Sequence, residues 1–277
     1  MRAGAVRARL IGLLAACCLA AAGPLWAETL GDLNGQVQSA WSAGDTEKAA
    51  RLADAALDQA RADGPAKDLA AWSTALTNTA FLRAASGRPE EAMALWNEVI
   101  SAQDAAGSRS EEALLARMQL AGHLAGTGRA DEALPLFRAA LPLARETKWH
   151  GETARIVAEA LFAAEDYAGF ALAFEEAVAQ APDLIRQTFG DDYTRFGQQV
   201  SRLEEAERWP DVLPLLEAQL TILRTFYHLD DRDQAIRNLM YNRYYALLQM
   251  RDTRRARPRS LDLSGWNWKP HVLFFWT

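Results

Sequence analysis

Apolar residues recur along most of this chain at intervals of three and four, the spacing that gathers them on one face of an α-helix. One such stripe is Ala133, Phe137 and Ala140, followed by Leu141. Ala92, Trp96 and Val99 form a second, and Phe170, Phe174 and Ala177 a third. A further helical pattern precedes each stripe, with Leu76, Ala80 and Arg83 in one case and Leu120, Ala121 and Leu124 in another. Between the paired patterns lie short turn sequences. The clear ones are Ala43-Gly44-Asp45, Ser86-Gly87-Arg88 and Thr127-Gly128-Arg129, and looser ones are Ala164-Glu165-Asp166 and Glu207-Arg208-Trp209. Gly ends a helix because it takes the left-handed conformation at least cost. The Asp, Thr or Pro that follows, with acidic residues behind it, starts the next. No strand-type alternation is present. The pattern predicts helical pairs over about 30–62, 67–105, 109–146, 149–181 and 192–228, and a final helix from Asp231 to Met250. A short helix and turn are expected between Ile185 and Asp192.

The pattern is an internal repeat. Anchored on the turn, its copies stand at 44, 87, 128, 165 and 207, and a degraded sixth begins at Arg251. The residues resemble tetratricopeptide (TPR) repeats. In the third copy Leu120-Ala121, Gly128, Ala133, Phe137 and Ala140 follow that family's pattern, and Pro182 stands at its terminal proline in the fourth. The resemblance covers residues 30–250 and departs from the family's 34-residue period, because these intervals run from 37 to 44. It implies an all-α fold, a right-handed superhelix of antiparallel helical hairpins (a TPR-like α-solenoid), with about five hairpins and a final helix over 28–250. It says little about activity; the expected role, a non-enzymatic scaffold or peptide-binding adaptor, rests on the absence of catalytic motifs.

Composition changes the picture at the two ends. Ala is one residue in five, 55 of 277, and small residues at helix crossings account for most of the excess. Residues 1–27 read as an export signal: Arg2, Arg7 and Arg9 precede the apolar run Leu10 to Ala22, and Leu25-Trp26-Ala27 resembles a cleavage site. The run is too short to span a bilayer. The expected location is periplasmic or secreted. An alternative stands beside it, because Leu14-Ala15-Ala16-Cys17 resembles the bacterial lipobox and would anchor an outer-membrane lipoprotein through Cys17. The formal charge of −6 divides unevenly. Residues 28–250 hold 21 basic and 34 acidic side chains, and residues 251–277 hold six basic and two acidic ones. That basic tail, 251–277, also carries Trp266, Trp268, Phe274, Phe275 and Trp276, and Pro258 is expected to interrupt any second helix there. Three readings of the tail stay open: a cap on the array, an arm contacting a partner or a membrane surface, or the mark of a truncated or frame-altered copy of a longer repeat protein, with the repeat portion of a truncated longer enzyme as an alternative for the whole chain.

Catalytic chemistry is not written in these residues. His123, His150, His228 and His271 are scattered, and the two cysteines, Cys17 and Cys18, fall in the export signal. Asp191-Asp192 and Asp230-Asp231-Asp233 precede predicted helices, where carboxylates cap and oppose the helix dipole. Glu111-Glu112 and Glu175-Glu176 read as solvated helix faces. No cofactor and no metal are expected, and the acidic array is a poor match for nucleic acid.

A protein or peptide partner is the expected ligand. In the family that the repeats resemble, the first helix of each pair lines the concave face. On that register the groove candidates are Thr77 and Phe81, then Met118, then Arg155 and Glu159, with the last helix offering Asn238, Tyr241, Asn242 and Tyr245. The final four form one stripe, with amides for a bound backbone and rigid rings for contact area. Arg155 is expected to pair with Glu159 one turn away.

Overall fold

The computed structural model describes residues 28–187 and 189–254, without the side chains of 189 and 252–254. Residues 1–27, with the expected export signal and Cys17, and the tail from 255 onward lie outside the described residues. Twelve helices follow in order among the described residues: α1 Leu30–Ser42, α2 Thr46–Asp63, α3 Leu69–Ala85, α4 Pro89–Ala105, α5 Glu111–Gly126, α6 Ala130–Ala144, α7 His150–Ala163, α8 Tyr167–Gln180, α9 Pro182–Arg186, α10 Phe189–Glu205, α11 Trp209–Phe226 and α12 Gln234–Arg254. The chain divides into two compact units, Met1–Thr194 and Arg195–Thr277, with the boundary inside α10.

The first unit is four helical hairpins in sequence. Helices α1 and α2, α3 and α4, α5 and α6, and α7 and α8 pack most extensively as pairs, and each pair then packs on the next. First helices also meet directly, α1 on α3 and α3 on α5, and the short α9 packs on α8. In the second unit α12 packs on α11. These are repeated antiparallel helical hairpins in an all-α array.

One turn builds every hairpin. The anchors at 44, 87, 128, 165 and 207 all have left-handed backbone, with φ of 78°, 77° and 84° at the glycines and 56° at both Glu165 and Glu207. In each turn the residue after the anchor donates its N–H to the carbonyl five residues back. The pairs are Asp45 to Ala40, Arg88 to Arg83, Arg129 to Leu124, Asp166 to Leu161 and Arg208 to Leu203, at 2.8–3.0 Å. The anchor itself donates to the carbonyl three residues back. This is the Schellman arrangement, which satisfies the carbonyls a helix end leaves open. The following helix then starts in one of two ways. Asp45 and Asp166 cap it, accepting from the N–H groups of Lys48 and Gly169. Arg88, Arg129 and Arg208 instead pair with the acid three residues on, Glu91, Glu132 and Asp211.

Identical turns impose an identical register. Five, nine and twelve residues after each anchor stand Ala49, Ala53, Ala56; Ala92, Trp96, Val99; Ala133, Phe137, Ala140; Phe170, Phe174, Ala177; and Val212, Leu216, Gln219, and every one is buried. The first helices bury the facing positions: Val37, Ala80, Ala121, Ala158 and Val200 lie seven residues before their anchors. Small side chains at these crossings let paired helices approach closely, so the alanine excess is structural.

Ion pairs join several successive helices of different pairs. Arg83 of α3 meets Asp54 of α2, the nearly buried Arg117 of α5 meets Asp104 of α4, and Arg243 of α12 meets Glu217 of α11. Glu176 is not the solvated surface residue its sequence suggests. It accepts from Arg145 and lies 2.8 Å from His150 Nε2, joining α8 to the end of α6 and the start of α7. Hydrogen bonding to Arg145 and His150 outweighs partial burial and holds its carboxyl below the usual value.

The last helix departs from expectation. It runs on to Arg254 rather than ending at Met250, and Arg251 is helical where the other five anchors take positive φ. Pro135 and Pro214 lie inside α6 and α11, each seven residues past its anchor. A proline at that offset therefore does not by itself end a helix, although it gives up a hydrogen bond to the carbonyl four residues back. Pro258, seven residues past Arg251, lies outside the described residues.

Candidate functional site

The groove candidates occupy fixed heights on the first helices. Thr77, Met118 and Arg155 each stand ten residues before their anchors, and Phe81 and Glu159 stand six before. In the first unit those heights differ in access. Thr77 and Met118 are buried, at 5% and 4% exposure, and they belong to the core rather than to an open surface. Phe81 is half-buried and meets Trp41 of α1 edge to face, with centroids 5.0 Å apart. Glu159 is exposed. Arg155 donates to Glu152, the acid one turn before it, at 3.0 Å, where the sequence suggested Glu159.

Carrying the same height back to the first copy adds Asn34, which the sequence reading passed over. It is buried, and its side-chain amide donates to the Ala71 carbonyl at 2.9 Å, joining α1 to α3. Asn34 Oδ1, Thr77 Oγ1 and Asn78 Nδ2 are buried without hydrogen-bond partners. The first helices of this unit thus carry a polar row within their packing. The signal that would have found Asn34 is the offset itself, extended one copy toward the N-terminus.

In the second unit the four candidates on α12 share a face and reach solvent. Asn238 and Asn242 are exposed, and Tyr241 and Tyr245 are 51% and 42% exposed. Tyr245 meets Trp209 of α11 edge to face at 5.6 Å, which fixes its ring without covering it. The Asn238 amide oxygen accepts from Gln234 on the same helix at 2.7 Å. The face presents amides, phenols and ring surface together, a composition that suits a peptide backbone with apolar side chains.

The acidic cluster before α12 closes on itself. Asp233 accepts from the Asp230 N–H, Asp230 accepts from the Arg232 N–H, and Asp231 pairs with Arg224 at 2.8 Å. Among the described residues no three His, Cys, Asp or Glu side chains are grouped to hold a metal ion, and no helix is long and apolar enough to cross a membrane. His123 faces Trp96, with ring centroids 6.0 Å apart.

No family model matches this chain, and no curated protein does. Solved structures do resemble it. BtubC (BKLC) from P. vanneervenii is 12% identical, covers 93% of this chain and 90% of its own length, and superposes with a TM-score of 0.48. A Podosopora anserina kinesin light chain variant with nearly identical TPR-like repeats is 15% identical, covers 80% and 96%, and has a TM-score of 0.45.

Proposed function

We propose that this chain is an exported, non-enzymatic scaffold that holds a protein or peptide partner against the exposed face of its first-type helices. Asn238, Tyr241, Asn242 and Tyr245 are the principal contacts. The observation that carries this reading is the stripe itself: four residues suited to backbone recognition share one open face of α12. The partner's apolar side chains would lie against the tyrosine rings, and the asparagine amides would fix the register of its backbone. In the first unit, Phe81 and Glu159 offer the accessible contacts at the matching height.

Export rests on residues 1–27, with the periplasm or the exterior as destination. The mature N-terminus decides the route: a chain beginning at Glu28 is a cleaved soluble form, and a lipid on Cys17 makes it a membrane-anchored one. The binding reading is tested by capture from envelope extract, comparing the parent with Tyr241→Ala, Asn242→Ala and Tyr245→Ala combined. The expected result is loss of a defined partner with the helical circular dichroism unchanged. A folded triple variant that keeps every partner removes the stripe from the function.

A further inference from the structure

A second face of α12 is open, and it is not the partner stripe. Met240, Tyr244 and Leu247 stand eleven, seven and four residues before Arg251, the sixth anchor. At those offsets the fifth copy buries Phe196, Val200 and Leu203, and the first buries Leu33, Val37 and Ala40. In the first copy Val37 and Ala40 of this side share one cluster with Ala49 and Ala53 of the paired second helix. On α12 the three side chains are 42%, 60% and 41% exposed. The contrast extends to the whole helix. Internal α3 and α5 each bury nine residues, whereas Ile236, Leu239 and Ala246 are the buried residues of α12 among those described.

We infer that residues 261–277 of this chain fold back across Met240, Tyr244 and Leu247 and cover them. The segment next in sequence stands where each other copy has its covering helix. It carries Leu261, Leu263, Trp266, Trp268, Val272, Leu273, Phe274, Phe275 and Trp276, a run that needs burial and is prone to aggregate if it finds none. Its charges suit the task. The tail's arginines end at Arg259, and from Leu261 onward Asp262 and Lys269 cancel, so the apolar part brings no net side-chain charge to an apolar face. Its length suffices. Met240 lies about 21 Å along the helix from Arg254, and the seven residues from 255 to 261 span up to about 23 Å when extended. Tethering also gives the segment a local concentration of order millimolar, which a separate partner must exceed to displace it.

The test places the photo-crosslinking residue p-benzoylphenylalanine at Tyr244 in the full chain, followed by irradiation and peptide mapping. The substitution keeps an aromatic ring at an exposed position. Should circular dichroism show that it disturbs folding, the same probe at Leu247 gives the same readout. The expected product has monomer mass, with most of the crosslink mapping to residues 261–277. A product of dimer mass joining two copies of α12 assigns the face to a second chain and overturns the inference. Crosslinks confined to other parts of the chain, or to lipid when phosphatidylglycerol vesicles are present, overturn it too. The readout needs no bound partner, so it stands or falls separately from the stripe of Asn238, Tyr241, Asn242 and Tyr245.

Discussion

Helices α1 and α12 are the same kind of element at opposite ends of the described chain, each the first member of a pair. Helix α1 buries one face, through Leu30, Leu33, Asn34, Val37 and Ala40, and turns Asp32, Gln36 and Ser39 to solvent. Its start is closed by a capping box in which Thr29 and Asp32 satisfy each other's backbone. Helix α12 turns Met240, Tyr241, Tyr244, Tyr245, Leu247 and Leu248 outward. A repeat array buries its core only between neighbours, so each end needs a polar outer face. The first helix carries its own, and the last awaits cover. The two helices meet one physical problem by different means: composition at α1, and further chain at α12.

Matched positions on the two helices carry the largest expected effects. Leu33 and Met240 both stand eleven residues before an anchor, at 7% and 42% exposure. Leu33→Ala is expected to lower stability by about 2–5 kcal/mol, the cost of an emptied core position, read from the urea midpoint. Met240→Ala is expected to cost about 1 kcal/mol in the full chain. That cost should vanish when Trp266, Trp268, Phe274 and Phe275 are also changed to Ser, because contacting groups are not additive. If the two sets of changes simply add, the tail and α12 do not touch.

Effects at the turns are smaller. Gly128 and Glu165 hold the same left-handed conformation with the same pair of hydrogen bonds. A side chain there meets its own backbone, which costs about 1–2 kcal/mol relative to Gly. Gly128→Ala is therefore expected to destabilise by about 1 kcal/mol. Glu165→Gly and Glu207→Gly should each stabilise the fold by up to about 1 kcal/mol, less what the more flexible unfolded chain takes back, read as a higher thermal midpoint. Equal effects of opposite sign at 128 and 165 would show that the later turns carry strain the earlier ones avoid.

How much of this was legible in the residues varies with the physics involved. The anchors were, including the glutamates at 165 and 207, because a helix end and the next start leave a signature even without Gly. The core stripes were legible too, since three- and four-residue spacing survives any change of side chain. Access to the groove was not. Thr77 and Phe81 share a face, but how deeply each sinks depends on how closely α1 and α3 approach, which no local pattern records. Arg155 has an acid one turn away on either side, so spacing alone could not choose Glu152. The end of α12 is not legible from the degraded turn copy at Arg251, which is helical where the other five anchors take positive φ. The role of Glu176 was hidden because Arg145 and His150 come from other helices.

Carboxylates in the two units respond to acid with opposite sign. In the first unit Glu176 is held below its ordinary value, chiefly by Arg145. Partial burial pushes Asp166 up, but hydrogen bonds from Arg138 and the Gly169 N–H outweigh it and leave that group lowered as well. Both favour the folded chain fully above the ordinary carboxylate range and lose that contribution as pH falls through their folded values. In the second unit, burial raises Glu204. It sits in the last turn of α10, where the helix dipole also opposes a negative charge. A raised carboxylate binds its proton more tightly when folded, so its contribution is greatest below the ordinary value and is lost as pH rises toward the folded one. Glu204→Gln removes the charge while keeping the side chain's size. The expected outcome is a higher urea midpoint at pH 7 and a difference from the parent that narrows toward pH 4. A variant equal to the parent at pH 7, or a gap that widens on acidification, would show that Glu204 is ionised in the folded chain without cost. Because Glu204 is only half enclosed, solvent screens part of the penalty and this is the smallest of the effects.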